Sequence, residues 1–165
     1  MHSDWMLRAE AICGSCGGHC CNGACPPLCD ERIAVILSRG NFKDRIETNG
    51  YRRIRTKENG ECAMFESGKC IIHAFKPETC MAGPFTFGVT DRNIEIFLKQ
   101  ESICPLIPHL KADREMYEMQ YHRAIEHITS LVGALPDEEL RIISAIPEPE
   151  TELVAIISRP GVQAP

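Results

Sequence analysis

Six cysteines stand within seventeen positions in CGSCGGHCCNGACPPLC, residues 13 to 29. Cys62, Cys70, Cys80 and Cys104 follow further along the chain. Thiols form disulfides, ligate soft metals or exchange electrons, so three chemistries compete. Cys13 and Cys16, two residues apart at the end of a helical segment, are spaced to present two thiolates to one metal centre. The same spacing serves a thioredoxin-type redox pair, but no βαβ pattern surrounds it here. The vicinal Cys20 and Cys21 are more diagnostic. Adjacent side chains diverge, so their sulfurs are poorly placed on one tetrahedral ion. A disulfide between Cα atoms about 3.8 Å apart is strained. Two neighbouring centres, two irons of one cluster, or one ligand beside a spare thiol fit such a pair. With Cys25 and Cys29 set aside, eight thiols remain, a number that suits two four-cysteine sites.

The elements that must position these thiols are short. Asp4 is placed to cap a helix through WMLRAEAI that ends at Cys13 and Cys16. Gly14, Gly17, Gly18 and Gly23 then interrupt regular structure. A glycine-rich loop lets backbone N–H groups approach sulfur closely. DERIAVILSRG predicts a second helix with Asp30 as cap and Gly40 as terminator. YRRIRTKENGE predicts a short strand and a turn at Asn59-Gly60 leading into Cys62. The alternating FTFGVTDRNIEIFLK, residues 85 to 99, predicts a β-hairpin. From Ala112 to Leu135 apolar residues recur every three or four positions, which predicts a long helix stopped by Pro136. A short helix follows from Asp137, then the stiff PEPE and the apolar LVAIIS.

The chain of 165 residues is long enough to bury a core without covalent staples, and its 44% hydrophobic and 25% charged content is ordinary for a globular protein. A net charge of −5 gives no electrostatic case for nucleic acid or an anionic membrane. MHSDWMLRAEAICGSC lacks the basic and apolar regions of a secretory signal, and no apolar run is long enough to cross a bilayer. The expectation is therefore a cytoplasmic, reducing location, where dense cysteines favour metal over disulfides.

CGSCGGHCC followed by CAMFESGKCIIHAFKPETCMAGPF resembles the zinc- or iron-chelating cysteine-cluster family, the CxxCxxCC or YkgJ-like proteins. Cys62 and Phe65 match the family's cysteine near a phenylalanine. Cys70, Ile72, Pro77, Cys80 and Pro84 match its second element, and Cys104 its last cysteine. The resemblance covers roughly residues 13 to 105. His73, Lys76, Met81 and Gly83 depart from the family's tyrosine, arginine, arginine and phenylalanine. The resemblance implies a metal or iron–sulfur module, and the family includes flagellin lysine N-methylases without fixing one activity.

Zinc sites favour two separated Cys-x-x-Cys knuckles, and the chain has one. Thiolate-only ligation in a glycine-rich loop tilts the reading towards iron–sulfur, with one or two [4Fe-4S] clusters and zinc as the alternative. The expected metal ligands are Cys13, Cys16, Cys20, Cys21, Cys62, Cys70, Cys80 and Cys104, with no catalytic residue of the chain's own. Cys25 and Cys29 read as extra ligands, small buried hydrophobes or spare thiols. His19 and His73 are expected to hydrogen-bond around the ligands rather than bind metal. His109, His122 and His127 read as solvated helix residues. Met116, Met119, Tyr117 and Tyr121 read as core or partner contacts. Arg52, Arg53 and Arg55 read as the charged protection of a strand edge.

The expected fold class is α+β, a small irregular cysteine-ligated metal core with a β-hairpin and a C-terminal helical pair. Residues 1–110 would form the cysteine-cluster region, 111–146 the helical part of the same domain, and 147–165 a linker and interaction tail. The expected function is an iron–sulfur protein in electron transfer, or an accessory to a larger enzyme or redox partner. A zinc-binding structural or metal-handling module is the alternative. A methyltransferase component ranks last, because the chain is short and carries no cofactor fingerprint.

Overall fold

The computed structural model describes residues 2–148 and 150–162. Met1, Pro149 and residues 163–165, which fall within the expected cysteine region, linker and tail, lie outside the described residues.

The chain is α+β. Helix α1, His2–Ser15, opens it, and a 3-10 turn at His19–Cys21 leads to α2, Asp30–Arg39. Two small hairpins follow: β1 (Ile46–Thr48) with β2 (Arg52–Ile54), and β3 (Phe65–Glu66) with β4 (Lys69–Cys70). After α3, Glu78–Ala82, the predicted hairpin forms from β5 (Phe85–Val89) and β6 (Asn93–Lys99). Helices α4 (Ile107–Ala112), α5 (Arg114–Ala134) and α6 (Asp137–Ser144) precede β7, Thr151–Ser158.

Three antiparallel strands in the order β5-β6-β7 make the largest sheet. Alternate residues of β6, Ile94, Ile96 and Leu98, are buried on one face, as the two-residue strand period requires. Ala124, Ile128, Leu131 and Val132 of α5 meet them at helical spacing. Tyr117 and Tyr121 set their rings edge-on to Phe85, with centroids 5.6 and 5.7 Å away. Met116 is buried, so this face of α5 serves the core. Asp113 caps the helix by accepting a hydrogen bond from the Met116 N–H at 3.2 Å.

Two smaller cores support the cysteine segments. One packs Leu28, Ile36, Ile54, Met64, Phe65 and Ile72 together with Cys21, Cys62 and Cys70. The other joins Trp5, Ala9 and Ile12 of α1 to Cys104, Leu106, Leu110 and Met116.

Several local expectations are corrected. Cys29, rather than Asp30, occupies the N-cap of α2, and Asp30 is its first residue. Arg52 and Arg53 do not guard a bare strand edge: Arg52 pairs with Glu139 and Asp30, and Arg53 with Glu47. Residues 151–158 do not reach away from the body as the proline-rich linker implies. They form β7, paired along β6 from Asn93↔Ser158 to Lys99↔Thr151. The inward face of β7 puts Val154, Ala155 and Ile157 against the main core. Among the described residues, no helix is long and apolar enough to cross a membrane.

Candidate metal centre

Helix α1 delivers the first two thiols. Cys13 lies in its last turn, and the Cys16 N–H still donates to the Ile12 carbonyl at 3.0 Å. The chain then reverses through Gly17 and Gly18, with φ of 72° and 76°, a left-handed conformation that costs other residues energy. Gly18 has a second reason to lack a side chain: a Cβ there would lie 2.6 Å from the Phe65 ring. This close approach folds the loop onto β3 and sets the turn carrying Cys20 and Cys21.

Backbone pairing ties that turn to the second cysteine segment. The Cys62 N–H donates to the Cys21 carbonyl at 2.8 Å, and the Gly23 N–H to the Gly60 carbonyl at 2.6 Å. The register of β3 and β4 sets Cys70 opposite Phe65. Helix α3, which carries Cys80, is held from two sides. Arg32 of α2 pairs with the buried Glu78 at 3.0 Å, and Gln120 of α5 donates to the Gly83 carbonyl at 2.6 Å. Cys104 arrives from the end of β6, where its N–H donates to the Gln100 carbonyl at 3.1 Å.

Each of the eight thiols thereby comes within electrostatic reach of at least one other. Burial is the main force raising the pKa of Cys13, Cys62, Cys70 and Cys104, and neighbouring thiols add to it. Cys80 keeps an accessible surface, yet the surrounding chain crowds its thiol enough to push it up to about 12. At the vicinal pair, the Cys21 thiol donates to the Cys20 sulfur. That bond holds Cys20 at about 6, helped by Lys99 and Lys76, and raises Cys21. The thiols that burial raises would release protons on meeting a soft metal.

Three sulfurs also accept backbone hydrogen bonds two residues on, Cys62 from Met64, Cys70 from Ile72 and Cys104 from Leu106. Each N–H stabilises negative charge on sulfur. Three ammonium groups act in the same sense: Lys76 on Cys13, Cys20, Cys70 and Cys80, Lys99 on Cys20 and Cys104, and Lys57 on Cys62. By donor chemistry this set fits a thiolate-bound metal or cluster. It is not drawn into a finished cage: among the described residues, no three His, Cys, Asp or Glu side chains converge closely enough to hold an ion.

The remaining candidates fall elsewhere. Cys29 is buried in the main core, and Cys25 shares a 3.0 Å hydrogen bond with the Thr56 hydroxyl. His19 and His73 are exposed, and Lys76 is the main cause lowering the pKa of His73. His109 and His122 are exposed, whereas His127 is half-buried, with its pKa lowered by burial and by Arg123. Sequence reasoning missed the roles of Lys57, Lys99, Gly18 and the Arg32–Glu78 pair. Two positions carried a signal, Gly18 in the glycine-rich loop and Lys76 as a departure from the family's arginine.

A thiol-rich α+β scaffold with charge-stabilised sulfurs defines a metal-binding protein. The chain belongs to the CxxCxxCC family, described as "Putative zinc- or iron-chelating domain", whose model matches residues 12–105. No match is found among curated proteins or among solved structures.

Proposed function

We propose that this protein binds iron–sulfur clusters through Cys13, Cys16, Cys20, Cys21, Cys62, Cys70, Cys80 and Cys104, and serves electron transfer or a larger enzyme. The observation that carries the reading is the run of neighbouring thiols in which Cys62, Cys70 and Cys104 accept backbone N–H groups and lysine ammonium groups act on Cys13, Cys20, Cys62, Cys70, Cys80 and Cys104. Hydrogen bonds and positive charge at sulfur are the levers by which proteins tune such clusters. A bound cluster would supply one-electron chemistry. The chain's own residues would hold it, screen its charge and set its exposure. A redox partner or larger enzyme is the partner class that this role requires, in the cytoplasm and without nucleic acid or membrane.

Zinc is the second reading. It is favoured by the Cys13–Cys16 pair at a helix end and the backbone hydrogen bonds to sulfur, features that equally suit a zinc knuckle. Anaerobic purification followed by analysis for iron, zinc and acid-labile sulfide decides between them. Iron with matching sulfide and a brown colour is the expected result. Stoichiometric zinc without sulfide would overturn the iron–sulfur reading.

A further inference from the structure

The eight thiols do not form one undivided pool. We infer that they make two adjoining four-thiolate metal sites: Cys13, Cys16, Cys20 and Cys104 in one, and Cys21, Cys62, Cys70 and Cys80 in the other. The peptide bond between Cys20 and Cys21 is the seam. The inference rests on the metal-binding reading but not on which metal is bound.

Three observations separate the sets. First, the surrounding cores differ. Cys21, Cys62 and Cys70 pack with Leu28, Met64 and Ile72, whereas Cys104 packs with Ile12 of α1, the residue before Cys13. Second, backbone pairing is selective. Cys21 and Cys62 are joined by a direct 2.8 Å hydrogen bond, and β3–β4 pairing brings in Cys70. Cys13 and Cys16 instead belong to α1 and its terminal turn. Third, for every thiol but Cys20 the electrostatic neighbours divide the same way. Cys13 feels Cys104, Cys20 and Cys16, and Cys104 feels Cys20 and Cys16. Cys62 feels Cys70, Cys21 feels Cys62 and Cys70, and Cys80 feels the same two, while Cys20 acts on Cys21, Cys70 and Cys80 as well.

Cys20 lies against Cys21 and touches both groups electrostatically, Cys13 and Cys104 on one side and Cys70 and Cys80 on the other. With Cys21 committed to Cys62, Cys20 completes the α1 set. The lysines follow the division. Lys99 acts on Cys20 and Cys104, Lys57 acts on Cys62, and Lys76 lies between the sets and acts on thiols of each. Two closely spaced anionic centres repel, and a shared ammonium offsets that repulsion.

The test counts metal per chain in full-length serine variants reconstituted alike, with circular dichroism to check the fold. Cys104→Ser and Cys70→Ser should each halve the metal content. Cys13→Ser with Cys104→Ser should lose no more than Cys104→Ser alone. Cys104→Ser with Cys70→Ser should lose nearly all. Total loss in a folded single variant, or in the folded pair within one set, overturns the division. Should the variants fail to fold, Co(II) titration of the reduced wild-type chain decides. Saturation of the thiolate–cobalt absorption at two equivalents supports two sites, and saturation at one or at more than two overturns them. No cobalt uptake would sink the division and the thiolate metal site together. Native zinc with two cobalt sites would remove the iron–sulfur reading and leave the division standing.

Discussion

Replacing Gly18 by alanine should damage the protein far more than one methyl group would on an open loop. Two penalties combine. Gly18 has φ of 76°, and an L-residue in this left-handed region costs about 1–2 kcal/mol. The new Cβ would also sit 2.6 Å from two atoms of the Phe65 ring, against a normal carbon contact of about 3.5–4.0 Å. Phe65 is 8% exposed and packed in the core around Met64 and Ile72, so its ring cannot swing clear. Overpacking of this kind costs about 1–3 kcal/mol, for a total of about 2–5 kcal/mol. The two penalties separate in a double-mutant cycle. Phe65→Ala alone should cost about 3–5 kcal/mol, but on that background Gly18→Ala should retain only its backbone penalty. The double variant should therefore be about 1–3 kcal/mol more stable than the sum of the single effects predicts. Urea denaturation of samples at matched metal loading measures this, provided the slopes stay equal. A cost for Gly18→Ala below about 0.5 kcal/mol, or strict additivity with Phe65→Ala, would refute the argument, since neither is compatible with a crowded left-handed position.

Arg32→Leu should destabilise by about 2–3 kcal/mol, because Glu78 is buried and its Oε2 has no hydrogen-bond partner among the described residues. The variant in which Arg32 and Glu78 are both leucine should recover much of that loss in thermal unfolding. Deleting residues 147–165 should cost about 3 kcal/mol or more, since it removes β7 and uncovers the core beneath Val154, Ala155 and Ile157. Retention of the wild-type unfolding midpoint would show that β7 is dispensable. Cys25→Ser and Cys29→Ala should both keep full metal content. Cys29→Ala alone should lose stability, by about 1 kcal/mol, through its place in the main core.

Legibility in the sequence followed the length of each signal. Alternation over residues 85 to 99 and three-four spacing over 112 to 135 are long patterns, and both became the expected elements. Strands β1, β3 and β4 are two or three residues long, too short for any periodicity to emerge. The tail misleads because the stiffness of PEPE argues for extension away from the body, against an edge strand formed by LVAIIS. Its pairing partner, β6, had already been assigned to a hairpin, and the register shift at Ile96/Phe97 blurs the match between the two patterns. At the candidate site, spacing made the eight cysteines conspicuous. Their neighbours depend on long-range backbone contacts, such as Cys21 to Cys62, that no local pattern encodes. Lys99 reaches Cys20 from a strand nearly eighty positions later, and a residue so distant carries no motif.

Strand β7 also imposes an order on synthesis. Residues 100 to 102, just before Cys104, are fastened by the far end of the chain: the Gln100 N–H donates to the Glu150 carbonyl at 3.0 Å, and the Ser102 hydroxyl to the Glu150 carboxylate at 2.9 Å. Every cysteine leaves the ribosome before those clamps exist. The nascent chain can therefore gather Cys21, Cys62, Cys70 and Cys80 early, while Cys104 gains its final support only once Glu150 has emerged, some forty-six positions later. Such non-local closure is slow and leaves reactive groups uncovered meanwhile. For this chain that interval coincides with a full complement of unprotected thiols, so oxygen or stray copper would do most harm cotranslationally, before the last strand docks.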